Sequence, residues 1–182
     1  MQIQPYCRTV HYYETDQMGV VHHANYIRWF EEARVNYLEQ MGTGYAKMES
    51  LGIVSPVLSV SCEYRHAVRF GEAVVIFAQV TAYTGTRMQF SYEIRSEDGE
   101  RIHAEGSSSH CFLDAKSGRP TSIRRHCPDI HDQVLVFLAS LPDAADTTAP
   151  AAAGDCSLSD EADTGVDRSL SDEAPRQESQ DI

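Results

Sequence analysis

The chain has 182 residues, enough for one domain with a single core, and sets 27 acidic side chains against 15 basic ones for a formal net charge of −12. An acidic chain without a basic patch excludes nucleic acid as a natural partner, and no apolar run approaches the roughly 18 residues that a membrane helix needs. The charge is uneven: residues 143–182 hold eleven acidic residues against Arg168 and Arg176, which leaves the first 142 residues close to neutral.

In chain order, a strand is expected over residues 6–13. A helix follows, starting near Asn25, because Tyr26, Trp29, Phe30, Ala33, Tyr37 and Met41 recur with helical spacing. Gly42 stops it. Arg28, Glu31, Glu32, Arg34, Glu39 and Gln40 lie opposite, as a solvated or inter-subunit face with Arg28 and Glu32 at i,i+4 spacing. A short helical patch comes next, at 44–50.

The period then changes to two. Leu58, Val60, Cys62 and Tyr64 alternate with polar residues, Val74 to Tyr83 reads as a more apolar strand, and Met88, Phe90, Tyr92 and Ile94 alternate again. Asp98-Gly99 marks a hairpin turn into a long strand from Arg101 to Leu113. Ile130 to Leu141 forms a closing amphipathic helix. Short connections make neighbouring strands antiparallel, so the chain reads as α+β, a curled antiparallel sheet with one long helix covering one face.

Residues 1–142 therefore form the folded domain and 143–182 an acidic tail. The tail is too polar and too charged to offset the entropy of ordering, and it is expected to be disordered. Its repeated SLSDEA, at 157–162 and 169–174, reads as local duplication rather than a docking motif. Five cysteines (Cys7, Cys62, Cys111, Cys127, Cys156) without a C-x-x-C pair, behind an opening MQIQPYCRTV with no apolar leader, predict reduced thiols and a cytoplasmic location.

The polar groups gather in ETDQMGVVHHANY, residues 14–26, directly ahead of the long helix. Backbone N–H groups of His23, Ala24 and Asn25 lie at the helix start, where they lack intrahelical acceptors and carry partial positive charge. Such donors stabilise a developing oxyanion. Asp16 stands seven residues before His23, with Gly19 allowing a sharp turn between them. A carboxylate beside an oxyanion hole is a minimal acyl-transfer site that needs neither a serine triad nor a metal. No G-x-S-x-G elbow accompanies Ser107, Ser108 and Ser109. Adjacent His22 and His23 lack the partner spacing of a metal site, and Cys127 with His131 reads as coincidence.

The run YYETDQMGVVHHANYIRWFEEAR, with the later SCEYRHAVRFGE, resembles the signature of the 4-hydroxybenzoyl-CoA thioesterase family of hotdog-fold proteins, especially its acyl-CoA thioesterase branch. The likeness extends over residues 5–140. It implies a hotdog fold, hydrolysis of acyl-CoA to the free acid and coenzyme A, no cofactor, and a homodimer or homotetramer with sites at subunit interfaces. By motif position, Asp16 matches the family's aspartate, nucleophile or base for water, and His23 the position whose backbone N–H polarises the thioester carbonyl. Gly19, His22 and Tyr26 fall at substrate-binding positions, with Glu31 and Glu32 as weaker carboxylate candidates. Two alternatives stand beside hydrolysis: a non-catalytic module binding acyl-CoA or acyl carrier protein, and a dehydratase or hydratase, whose His-Phe-Pro-like or Asn-Pro patterns are absent here.

Overall fold

A computed structural model describes residues 3–141; the expectations for the acidic tail lie outside them. The sheet is built on three long strands, β4 (Ala73–Tyr83), β5 (Arg87–Ser96) and β6 (Ile102–Cys111), flanked by β1 (Tyr6–Thr9) and β3 (Val57–Tyr64) in the order β1-β4-β5-β6-β3. Every pairing is antiparallel. A two-stranded pair, β2 (Ile53–Val54) with β7 (Leu113–Asp114), lies apart. The turn between β5 and β6 falls at Asp98-Gly99 as expected, with Gly99 at φ +76°.

Because alternate side chains of a strand share a face, the register aligns rows across the sheet: Ile76–Ile94–Ala104–Tyr64, Ala78–Tyr92–Gly106–Cys62 and Val80–Phe90–Ser108–Val60. Large residues sit on β5 and small ones on β6. Helix α1 (His23–Gln40) fills the step this leaves. Phe30 stacks on Tyr92 with ring centroids 4.5 Å apart, and it lies so close to β6 that a Cβ on Gly106 would overlap the Phe30 ring and the Ser61 carbonyl oxygen. This is the hotdog arrangement that the motif resemblance implied.

Tyr26, Trp29, Phe30, Ala33, Tyr37 and Met41 are all buried, as their spacing predicts. Gly42 ends the helix at φ +77°, and the Thr43 N–H closes back on the Leu38 carbonyl oxygen at 2.9 Å. The short α2 (Tyr45–Ser50) follows. Near the end of the described chain, α3 (Ile123–His126) and α4 (Pro128–Ala139) plug one end of the core with Ile123, Ile130, Val134 and Phe137.

Four details depart from the sequence reading. The first strand stops at Thr9, because a 3-10 turn over Tyr12–Glu14 forms where the Glu14 carboxylate accepts the His11 N–H at 2.8 Å. The strand expected over Arg101 to Leu113 divides near Phe112 into β6 and β7. Arg34, assigned to the solvated face, is 5% exposed, and Glu32 pairs with Arg8 rather than Arg28. Cys62, Cys111 and Cys127 are free thiols. Among the described residues, no helix is long and apolar enough to cross a membrane.

Candidate active site

The site begins with a buried acid. Glu14 is 4% exposed, and its carboxylate is held on three sides: the Trp29 indole donates to Oε1 at 2.8 Å, Arg8 Nη2 donates to the same oxygen at 2.6 Å, and the His11 N–H donates to Oε2. Arg8 also pairs with Glu32 and lies 4.8 Å from the Trp29 ring centroid. A buried carboxylate with this many donors is fixed in place. Its main chain is used as well. The Glu14 carbonyl oxygen accepts the His22 N–H at 2.9 Å and Asn25 Nδ2 at 2.7 Å.

Between these clamped points the chain makes a tight loop. Thr15 bridges Val21, the Asp16 N–H donates to the Val20 carbonyl oxygen at 2.9 Å, and the Gly19 N–H donates back to the Asp16 carbonyl oxygen at 2.9 Å. Gly19 has φ +72°, a conformation that a side chain would strain. The Val21 N–H then anchors the loop to the Val68 carbonyl oxygen at 2.8 Å. Asp16 is half-buried. Its Oδ1 accepts the Met18 N–H at 2.8 Å, while Oδ2 accepts no hydrogen bond from the described residues.

The helix start shows which amide is left over. His22 is the N-cap, and its ring Nδ1 accepts the Ala24 N–H at 3.3 Å. The Asn25 N–H reaches the His22 carbonyl oxygen at 2.9 Å. The His23 N–H has no acceptor among the described residues, and it sits at the positive end of an 18-residue helix.

Aromatic rings form one wall. Tyr64 of β3 donates its hydroxyl to the His23 carbonyl oxygen at 3.1 Å and meets Tyr26 edge to face at 5.1 Å. The His22 and His23 rings lie 4.1 Å apart. Burial raises the Tyr26 phenol, and burial first, then the neighbouring Cys62, pushes Tyr64 up to about 12, so both hydroxyls keep their protons at neutral pH.

The structure thus brings Asp16, Gly19, His22, His23 and Tyr26 to one end of α1. Gly19 shapes the loop, His22 caps the helix, and Tyr26 is 3% exposed, which makes it a wall rather than an open surface. Glu31 is exposed on the outer face of α1, with Arg34 3.8 Å away. Sequence reasoning missed Arg8, Glu14 and Tyr64, and it named Asn25 only for its backbone N–H, not for the side-chain bond to Glu14. One signal was available, since an acid three residues after His11 is the spacing of a capping box.

A family model described as the thioesterase-like superfamily matches residues 10–134. YneP of Bacillus subtilis (strain 168), provisionally named an acyl-CoA thioesterase, is 36% identical over 122 residues, covering 67% of this chain and 88% of YneP. The 1,4-dihydroxy-2-naphthoyl-CoA hydrolase of Thermosynechococcus vestitus is 27% identical over 144 residues, or 79% of this chain and 93% of that one. Among solved structures, the DHNA-CoA thioesterase of Staphylococcus aureus superposes with a TM-score of 0.70 at 33% identity, covering 75% of this chain and 91% of that chain.

Proposed function

We propose that this chain, which belongs to the thioesterase-like superfamily, hydrolyses acyl-CoA thioesters to a free carboxylic acid and coenzyme A, with Asp16 as its carboxylate and the His23 N–H as its oxyanion donor. One observation carries the assignment of roles. Of the three amides in the first turn of α1, His23 alone is left without an acceptor, beside a loop that holds Asp16 with Oδ2 uncommitted.

The chemistry suits so small a site. A thioester carbonyl is open to attack and its thiolate leaves readily, so a carboxylate suffices without a histidine relay. In one route Asp16 attacks the carbonyl carbon, the oxyanion forms against the His23 N–H, and the C–S bond breaks to give an anhydride and thiolate. Water then cleaves the anhydride and regenerates the carboxylate. In the other route Asp16 takes a proton from water, whose oxygen attacks directly. Both routes use the same oxyanion donor.

The site is built for a second copy of the chain. β3 is an edge strand, and its core-side residues Val60 and Tyr64 are 43% and 49% exposed although their rows run into the buried face of the sheet. Pairing two β3 edges covers these side chains and satisfies the open backbone groups. Because Tyr64 touches His23, a partner on β3 also borders the site.

The activity is tested by following thiol release from a panel of short-chain, long-chain and aromatic acyl-CoAs, with the matching acyl carrier protein thioesters alongside. Turnover well above spontaneous hydrolysis for at least one acyl-CoA supports the reading and names the acyl class. Binding of every thioester without thiol release would replace it with a non-catalytic binding module.

A further inference from the structure

The described part of the chain buries two arginines, Arg8 and Arg34, but only one buried carboxylate, Glu14. Arg8 takes that carboxylate and Glu32 as well. Arg34 is left with neutral partners: Nε donates to the Tyr45 hydroxyl at 2.8 Å, Nη1 to His110 Nε2 at 3.2 Å, and the Tyr92 hydroxyl is a third contact. Among the described residues its one acidic partner is Glu31, 3.8 Å away with a side chain 67% exposed. A buried guanidinium whose counter-charge is a largely solvated carboxylate at 3.8 Å is only weakly compensated for its loss of hydration.

Arg34 lines a cavity of about 10 Å³ under the second half of α1, bordered on its polar side by Thr43, Tyr45, Ser55 and His110. That volume is about the room one water-sized particle needs. Two polar atoms of this lining lack any partner among the described residues, Thr43 Oγ1 and His110 Nδ1, in residues that are each 1% exposed. The tautomer of His110 follows from its neighbour. A guanidinium only donates, so Nε2 must accept from Arg34, and it accepts from Ser108 Oγ at 2.7 Å as well. The ring proton is therefore on Nδ1. Burial, and then Arg34 itself, lowers His110 to about 4, so the ring adds no second charge at neutral pH.

We infer that this cavity is a binding site for one small monovalent anion of about the size of chloride, held by Arg34 with Thr43 and His110 as further donors. The charge repels a cation. A water molecule would accept from the donors yet leave the guanidinium with only the exposed Glu31 to offset its charge. The anionic tip of an acyl group is the other source of the same chemistry, but Arg34 lies eleven residues along α1 from His23, roughly 16 Å at ~1.5 Å per residue. A cavity for one small particle suits a free ion. The site stands apart from Asp16 and does not rest on the thioesterase reading.

The test is thermal unfolding of the full chain at fixed pH and ionic strength, replacing sodium gluconate stepwise with sodium chloride or bromide. The melting temperature of the wild type is expected to rise with halide concentration along a binding curve. Arg34→Met, close in length and uncharged, loses that rise. Thr43→Val keeps the shape and shifts the curve to higher halide, and it carries the test if Arg34→Met does not fold. Equal melting in halide and gluconate, or a halide response unchanged in both variants, would overturn the site. A bromide-soaked crystal gives the direct view: an anomalous peak beside Arg34 is expected, and a cavity without one contradicts the proposal.

Discussion

The carbonyl oxygen of Glu14 accepts the N–H of His22 at 2.9 Å, and this bond helps decide which amide at the head of α1 is left unpaired among the described residues. With His22 tied to Glu14 and the Ala24 N–H tied to the His22 ring, the unpaired donor is His23. The Glu14 carboxylate is in turn locked by Trp29 and Arg8. A chain of ordinary hydrogen bonds thus runs from the core to the proposed oxyanion donor.

If that register matters, Asn25→Ala should lower kcat about tenfold or more with little change in KM, because it frees the Glu14 carbonyl oxygen on one side without touching the substrate pocket. Its stability cost should be on the order of 1 kcal/mol, the usual worth of a buried hydrogen bond. Steady-state kinetics beside urea unfolding separates the two effects. A rise in KM alone would point instead to a lost binding contact.

Glu14→Gln keeps the shape but removes the charge that neutralises Arg8. Breaking one side of a buried pair is expected to cost about 3 kcal/mol, moderated here because Glu32 still faces the guanidinium. Urea unfolding measures it, and a loss below about 0.5 kcal/mol would show that the pair does little.

Gly106→Ala should destabilise the fold by about 2 kcal/mol or more, since the added methyl overlaps both Phe30 and the Ser61 carbonyl oxygen. Adding Phe30→Leu relieves only the first overlap, so the double variant should recover part of the loss at most. Full recovery would place the strain wholly in the ring.

Stability should also depend on pH through His110. Its folded pKa is about 4 against an ordinary 6.5, so between those values the unfolded chain binds the extra proton. The contribution is fully present above pH 6.5 and is lost as pH falls toward about 4. Urea unfolding midpoints across this range should fall more steeply for the wild type than for His110→Gln. Parallel curves would remove His110 from the account.

Much of this was legible in the sequence. The apolar spacing from Tyr26 to Met41, the stop at Gly42 and the turn at Asp98-Gly99 are local signals, and local physics decides them. The loop between Asp16 and His23 was legible because one short stretch contains it. What escaped the reading depends on distant partners. Arg34 looks solvated in its own helix and is buried only because Tyr45, Tyr92 and His110 converge on it. Glu14 reads as one acid among many until Arg8 and Trp29 are placed beside it. Likewise, β3 alternates like any half-buried strand, yet its apolar side is exposed at the sheet edge.

That edge yields a prediction of its own. In the proposed β3-paired dimer, Val60→Glu puts a charge on the exposed row of β3 and should yield monomers in sedimentation velocity runs where the wild type sediments as a dimer, with thiol release falling in parallel. A monomeric wild type, or a variant that sediments as a dimer, would contradict the proposed β3 contact.

The central claim is tested most directly by thiol release from the preferred acyl-CoA by wild type and Asp16→Asn under matched conditions, with melting curves to show that both are folded. The account predicts a loss of about two or more orders of magnitude in kcat in a variant that still binds substrate. A folded Asp16→Asn protein that turns over within a few-fold of wild type would contradict it.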